Sequence, residues 1–253
     1  MQNKLGTLWN EDASAVNAWL GIPSTVTAEI VSRQGFDAIT IDLQHGINDY
    51  ASAVPMLQAM SASDATPMVR VPWLEPGIIM KLLDAGALGV ICPMINTPAD
   101  AERLVRYCRY APDGDRSFGP VRAGLVHGPA YARQANESII SLAMIETAQA
   151  LGGVAEIART GGLTGLYIGP ADLGLSLGYE PKLDQTEPVV VDAIKRILEA
   201  ARHAGIKAGI HCLAPAYARE MLELGFDLVT LGTDIRMFTA AYVNAMQELR
   251  ASA

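Results

Sequence analysis

The sequence predicts an α/β fold, a single (β/α)8 TIM barrel that spans residues 1–253 as one domain. Its length of 253 residues is close to the roughly 250 of a typical barrel of this kind. Continuously apolar runs alternate with helical patterns, as expected when a parallel sheet is covered on both faces. Reactive side chains follow several of these runs, and the carboxyl ends of barrel strands converge on one mouth.

The predicted strands come at regular intervals, and several follow a glycine that ends a helix. The pattern is clearest in Gln34-Gly-Phe-Asp-Ala-Ile-Thr-Ile and in Leu224-Gly-Phe-Asp-Leu-Val-Thr-Leu. We predict strands near residues 15–22, 36–43, 66–71, 88–94, 139–145, 164–169, 207–212 and 227–232. We predict helices at residues 25–34, 50–62, 76–85, 99–110, 148–158, 188–203, 215–223 and 234–249. A doubly wound open sheet would fit the same alternation, but eight strands in a single-domain length favour the closed barrel.

One segment, residues 111–129, interrupts the alternation and is predicted to lack secondary structure. It supplies Arg116, Arg122 and His127. Because long loops are often functional, this segment could wall the barrel mouth or dock a neighbouring subunit. An insertion packed on the surface explains it equally well.

The composition excludes some classes of function. Apolar residues make up 50% of the chain and charged residues 18%, so we expect a large core. The net charge of -8 argues against a nucleic-acid partner, because phosphate backbones need a basic surface. Three cysteines without a CxxC spacing favour a reducing compartment. The sequence shows no signal-peptide pattern and no apolar run of about 18 residues, so we expect a cytoplasmic protein without a membrane partner.

Two carboxylates are the candidate metal ligands. Glu146 and Asp172 each follow an apolar run, where a carboxylate is costly unless it is paired or bound to a cation. On neighbouring strands they suit Mg²⁺ or Mn²⁺, which prefer oxygen ligands. The alternative is that each acid caps the helix that follows it. No phosphate-cradling glycine loop is present, and we expect no organic cofactor.

His45 and Arg70 are the candidates for proton transfer and charge stabilisation. The ordinary pKa of histidine lies near neutrality, which suits a general base. A guanidinium suits an enolate or carboxylate oxygen, although Arg70 could instead form a salt bridge with Asp42. His211 could line the barrel and is the weaker candidate base. No lysine is placed at the mouth for Schiff-base chemistry, which favours metal chemistry.

The stretch Gly169-Pro170-Ala171-Asp172 predicts a tight turn at the mouth. The backbone N–H groups of Ala171 and Asp172 would then point into the pocket, where they could hold a substrate carboxylate. We therefore predict that these four residues contact substrate.

The chain resembles the HpcH/HpaI aldolases, metal-dependent (class II) aldolases that act on 4-hydroxy-2-oxo acids. The resemblance covers essentially the whole length. It is carried by Ile41-Asp-Leu-Gln-His45, Val69-Arg-Val-Pro72, Ile79-Met-Lys-Leu-Leu-Asp-Ala-Gly86, Pro93-Met94, Ile145-Glu-Thr147 and Tyr167-Ile-Gly-Pro-Ala-Asp-Leu173.

The resemblance implies a role for each matching residue. His45 would be the base, Arg70 would stabilise the enolate oxygen, and Asp84 would raise the basicity of His45. The pair predicted above would bind the metal, which could be Mg²⁺, Mn²⁺, Co²⁺ or Zn²⁺, and Ala171 would contact the pyruvate carboxylate. The resemblance also implies a homo-hexamer, a trimer of dimers with an exchanged C-terminal helix.

Two positions depart from the family pattern. Gln44 stands in place of a glutamate, and Met144 stands in place of a glutamine that contacts substrate. Both put the substrate preference in doubt rather than the metal and enolate chemistry. Asp42 and Gln44 could support the residues that touch the substrate.

The predicted function is metal-dependent, reversible cleavage of 4-hydroxy-2-oxo acids to pyruvate, or a close analogue, and an aldehyde through a metal-stabilised enolate. One alternative is an acyl-CoA lyase of the citramalyl- or malyl-CoA type. Its basic site would have to come from Arg103, Arg106 and Arg109, which are the one basic cluster in the sequence. The other alternative is a non-catalytic metabolite-binding barrel.

Overall fold

A computed structural model describes residues 3–251, which form a closed barrel of parallel strands paired in chain order. The strands are β1 (Ala15–Leu20), β2 (Ala38–Asp42), β3 (Thr66–Arg70), β4 (Gly89–Cys92), β5 (Ile140–Ile145), β6 (Gly165–Ile168), β7 (Lys207–Cys212) and β8 (Leu228–Leu231). The helices are α1 (Lys4–Asn10), α2 (Thr25–Ser32), α3 (Tyr50–Met60), α4 (Pro76–Asp84), α5 (Pro98–Cys108), α6 (Val121–His127), α7 (Tyr131–Ser138), α8 (Ala148–Gly152), α9 (Val154–Ala158), α10 (Pro170–Ser176), α11 (Pro188–Ala204), α12 (Pro215–Leu224) and α13 (Asp234–Ala251).

The predicted barrel is confirmed, and every predicted strand is present. Seven of the predicted helices are present within a few residues of their predicted bounds. The predicted helix 148–158 is instead two short helices, because Gly153 ends α8 and precedes the start of α9. Four helices were not predicted: α1, α6, α7 and α10.

The barrel interior is a packed core that is closed at its amino end. Inward-facing residues such as Trp19, Met68 and Tyr167 are buried together with Leu5 and Trp9 of α1. The Trp9 indole nitrogen also donates to the carbonyl oxygen of Asp227, 3.1 Å away. Helix α1 therefore seals the bottom of the barrel and leaves the carboxyl ends of the strands as the open mouth.

The remaining apolar side chains of the strands pack outward against the helices and form a second, larger core. Burial on both faces explains why the strands read as continuous apolar runs. Among residues 3–251, none of the helices combines the length and apolar character needed to cross a membrane.

Residues 111–129 do not have the predicted structure. The segment contains α6, and its Arg122 donates to the carbonyl oxygens of Ala85 and Leu57. Ala85 directly follows α4, and Leu57 lies in the last turn of α3. Both helices end at the amino end of the barrel. The interpretation of this segment as a wall of the mouth is therefore wrong.

Candidate active site

Most of the predicted site residues converge on one cavity of about 380 Å³ at the carboxyl ends of the strands. The predicted residues that line it are Asp42, His45, Arg70, Gly169, Pro170, Ala171 and Asp172. Trp19, Met144, His211 and Arg236 line it as well. Convergence of strand ends at the mouth is thus the feature that joins residues distant in the chain.

Asp42 and Arg70 form a buried, two-point ion pair. They are register partners at the ends of β2 and β3, and Arg70 donates through Nε (2.9 Å) and Nη2 (2.7 Å) to the two carboxylate oxygens. Burial alone would raise the pKa of the Asp42 carboxyl, but the bonds and charge of Arg70 outweigh it and lower the pKa. The salt bridge considered from the sequence is therefore present, and Arg70 also faces the cavity.

Asp42 also shapes the loop that carries His45. Its Oδ1 accepts the backbone N–H groups of Gln44 (3.0 Å) and His45 (3.3 Å). The His45 side chain is exposed and lines the cavity. The side-chain oxygen of Gln44 is buried without a hydrogen-bond partner among the described residues. One carboxylate thus holds both the arginine and the histidine loop.

Glu146 is a buried carboxylate without a cationic partner in direct contact among residues 3–251. It is 2% exposed and accepts the backbone N–H of Met94 at 2.7 Å. Met94 adopts a positive φ of 56°, an uncommon conformation for a residue other than glycine, and this aims its N–H at the carboxylate. The pKa of Glu146 is raised to about 7, mainly by burial, and the negative charge of Asp172 contributes to the rise.

Asp172 lies in the first turn of α10 rather than in the predicted tight turn. Pro170 begins the helix, so the N–H groups of Ala171 and Asp172 belong to its first turn and have no carbonyl partner within it. They border the cavity. The four residues 169–172 line the cavity, but they form a helix start and not the predicted tight turn.

The capping alternative does not account for the two acids. The residue before α8 is Thr147, whose side chain accepts the N–H of Ala150, so Glu146 is not the cap. The residue before α10 is Gly169, which has no side-chain cap. No cluster of three or more His, Cys, Asp or Glu side chains suited to a metal occurs in the described part of the chain. A two-carboxylate site completed by water or substrate suits Mg²⁺, which keeps several waters.

Gly169 lets Glu146 approach the backbone of β6. A Cβ atom at this position would lie 2.6 Å from Met144 Cε and 2.7 Å from Glu146 Oε2. The register explains the contact, because Ile145 pairs with Ile168 and the next residues on the two strands are Glu146 and Gly169.

Gly169→Ala should therefore reduce the aldolase activity that the sequence predicts about a hundredfold, since a misplacement of about 1 Å can cost that much. Steady-state rates with saturating divalent metal measure the effect. Gly161→Ala is the matched control, because a Cβ at Gly161 would meet no atom within 4 Å. Equal activity of the two variants would show that the position of Glu146 is not set by this contact.

Three predicted site residues do not line the cavity. Glu146 is buried beside Gly169, Gln44 follows Asp42 in the His45 loop, and Asp84 alone of the three lies at the other end of the barrel. It ends α4 and accepts a 2.7 Å hydrogen bond from Arg116. Because β4 starts only five residues later, at Gly89, Asp84 lies at the amino end of the barrel, away from His45. Within a single chain the two side chains are therefore apart.

The sequence interpretation did not include Trp19 or Arg236, and it ranked His211 low. The Arg70 guanidinium carbon lies 4.8 Å from the centre of the Trp19 ring, and His211 packs edge-on against that ring at 4.8 Å. The pKa of His211 is lowered to about 3, mainly by burial, and the charge of Arg70 contributes to the lowering. His211 is therefore neutral at physiological pH.

Comparison with known proteins identifies the relatives of this chain. The family model HpcH/HpaI aldolase/citrate lyase matches residues 16–241. A hydroxypyruvate/pyruvate aldolase of Rhizorhabdus wittichii is 45% identical, over 98% of this chain and 99% of the relative. A 5-keto-4-deoxy-D-glucarate aldolase of Citrobacter koseri is 34% identical, over 89% of this chain and 88% of the relative. The crystal structure of a HpcH/HpaI aldolase/citrate lyase family protein from Burkholderia cenocepacia superposes with a TM-score of 0.92 at 34% identity, over 99% and 100% of the two chains.

Proposed function

This chain belongs to the HpcH/HpaI aldolase/citrate lyase family, and we propose that it is a metal-dependent pyruvate aldolase. It would cleave 4-hydroxy-2-oxo acids reversibly to pyruvate, or a close analogue, and an aldehyde. The observation that carries the proposal is the buried Glu146 carboxylate beside Asp172. These two like charges are close enough to interact, and no cationic side chain within the described residues forms an ion pair with Glu146.

Glu146 and Asp172 would hold a divalent ion. When bound, the ion would act as a Lewis acid on the carbonyl of the 2-oxo acid. The first-turn N–H groups of Ala171 and Asp172, beside Gly169 and Pro170, would bind the carboxylate of that acid. The ion pair with Asp42 orients Arg70, and the guanidinium would face the oxygen on which negative charge develops.

His45 would move the proton. In the synthetic direction it would accept a proton from the methyl group of pyruvate, and the resulting enolate carbon would form a bond to the aldehyde carbon. The aldehyde oxygen would take up a proton to become the 4-hydroxyl group, which returns the proton removed from the methyl group. Cleavage reverses these steps. His45 is exposed in the cavity, whereas the neutral His211 is packed against Trp19, so His45 is the better placed base.

The acyl-CoA alternative finds no support in the basic helix α5. Arg103 pairs with Asp100 and Arg106 with Asp115, and Arg109, just past the helix, donates to the carbonyl oxygen of Gly162. These guanidinium groups are already paired within the chain, so they do not form a free phosphate site.

We also propose that the chain assembles with copies of itself. Helix α13 buries only Asp234 and exposes a row of apolar side chains, among them Phe238, Tyr242 and Leu249. An exposed apolar face along a whole helix marks an interaction surface.

An assembly would also give Asp84 a route to the site. Asp84 of one copy could approach His45 of another, which a single chain does not allow. Light scattering should give about six times the chain mass of 26.9 kDa, and a monomer mass would contradict the assembly.

Proton NMR of pyruvate in D₂O tests the function. We expect metal-dependent exchange of the methyl protons that EDTA abolishes. His45→Ala should slow the exchange about a hundredfold, the effect typical of a lost general base. His203→Ala, on the exposed side of α11, is the matched control and should exchange normally. Absence of exchange with every divalent ion would exclude the pyruvate aldolase.

A further inference from the structure

The cavity at the mouth has two ends of different chemistry. The start of α10, which follows β6 and carries Asp172, lines one end, and Glu146, which follows β5, is buried beside it. In a barrel of eight strands in chain order, β1 lies across from β5. The residues that follow β8 and β1 therefore form the other end, where the aldehyde half of a substrate would extend.

Arg236, in the first turn of α13, brings a second guanidinium to this other end. Arg70 is held by Asp42. Arg236 is exposed at the rim and makes no ion pair within the part of the chain that the structure describes. Its charge reaches the cavity, because it contributes to the lowered pKa of the neighbouring His211, for which burial is the main cause. Arg236 is thus a free positive charge at the mouth.

The position of Arg236 is fixed by Asp234. This buried carboxylate accepts the backbone N–H groups of Gly21 (2.8 Å), Ile22 (3.1 Å) and Ile235 (2.8 Å). These bonds tie the first turn of α13 to the end of β1. The backbone that carries Arg236 is therefore anchored at the cavity, and less ordering is needed when an anion binds.

We propose that Arg236 is a specificity-determining residue that binds a carboxylate on the aldehyde half of the substrate. The enzyme would thus prefer dicarboxylic 4-hydroxy-2-oxo acids to monocarboxylic ones of the same length. This proposal rests on the proposed function, which assigns the carboxylate and carbonyl of the 2-oxo acid to the opposite end. The carboxylate of the 2-oxo acid would be bound at the α10 end, away from Arg236. The carboxylate that Arg236 binds therefore belongs to the aldehyde half.

Two pairs of aldehydes test the proposal, each with one charged and one neutral member of equal carbon number. They are glyoxylate with glycolaldehyde, and succinic semialdehyde with butanal, so the carboxylate is offered at two depths. Aldol addition to pyruvate gives kcat/KM for each aldehyde. We expect the charged member of at least one pair to be preferred, and Arg236→Met to lower that preference at least tenfold, mainly through KM.

Three comparisons make the result decisive. Arg236→Lys should keep most of the preference, because the charge remains. Arg219→Met, which removes an exposed arginine of α12, should keep all of it. An unchanged ratio in Arg236→Met, or no preference in the wild type, would overturn the role of Arg236 while methyl exchange of pyruvate still supports the aldolase. Absence of exchange in the wild type would instead reject the proposed function and the proposal together.

Discussion

Arg70→Ala should slow methyl exchange of pyruvate about a thousandfold, because it removes a preorganised charge beside the oxygen that becomes negative. It should also destabilise the fold. Asp42 is 4% exposed, and removing its partner leaves a buried charge uncompensated, at a cost of about 3–5 kcal/mol. Exchange rates and urea unfolding measure the two effects separately.

The double variant Arg70→Ala with Asp42→Asn separates the structural role of the pair from the catalytic one. Asparagine keeps the oxygen that accepts the N–H groups of Gln44 and His45, but it carries no charge. We expect the double variant to regain at least half of the lost stability and none of the lost exchange. Recovery of exchange would show that Arg70 acts through the fold alone.

The strands could be predicted because burial on both faces leaves a strong signal. The helices outside the regular alternation of strands and helices leave a weaker signal in the sequence. Helices α6, α7 and α10 have seven or eight residues and begin without a side-chain cap, so α6 and α7 carry no cap signal and α10 carries only the proline at its first position. Helix α1 did carry a signal, because Asn3 caps it and Leu5 and Trp9 lie four residues apart on its buried face.

The site residues could be predicted where a charged side chain lies at the end of a strand. Asp42, Arg70 and Glu146 were found because polar side chains at the ends of apolar runs are conspicuous. Trp19 was missed because an aromatic side chain inside β1 looks like core. Arg236 was missed because an arginine in a helix looks like surface, and only the cavity shows where it points.

The role of Asp84 could be predicted from the family resemblance, but the structure of a single chain does not bring its side chain to His45. Its role came from the family motif alone, since an aspartate at a helix end has an ordinary structural explanation. The structure pairs Asp84 with Arg116 at the amino end of the barrel. Within one chain its carboxylate therefore does not contact His45, which lies at the carboxyl ends of the strands. A residue that acts between copies, as we propose for Asp84, would leave no pattern in the strand and helix signals of its own chain.

Glu146→Gln should abolish metal-dependent exchange and yet stabilise the metal-free protein at neutral pH. Burial raises the pKa of Glu146 from 4.5 to about 7, so the folded chain retains a proton that the unfolded chain has already lost. The unfolded state therefore binds fewer protons between about pH 4.5 and 7, and the free energy of unfolding falls as pH rises through that window. The total loss is about 3 kcal/mol.

Glutamine keeps the oxygen that accepts the Met94 N–H and carries no charge, so it should remove this pH dependence. The control is Glu156→Gln, an exposed acid of α9, which should behave like the wild type. Thermal unfolding from pH 5 to 8, with EDTA and with excess Mn²⁺, measures both effects. The wild type should gain stability from Mn²⁺ because a ligand that binds only the folded state stabilises it, and Glu146→Gln should not. If Glu146→Gln were stabilised by Mn²⁺ as much as the wild type, the ion would bind elsewhere, and the carboxylate would be buried for another reason.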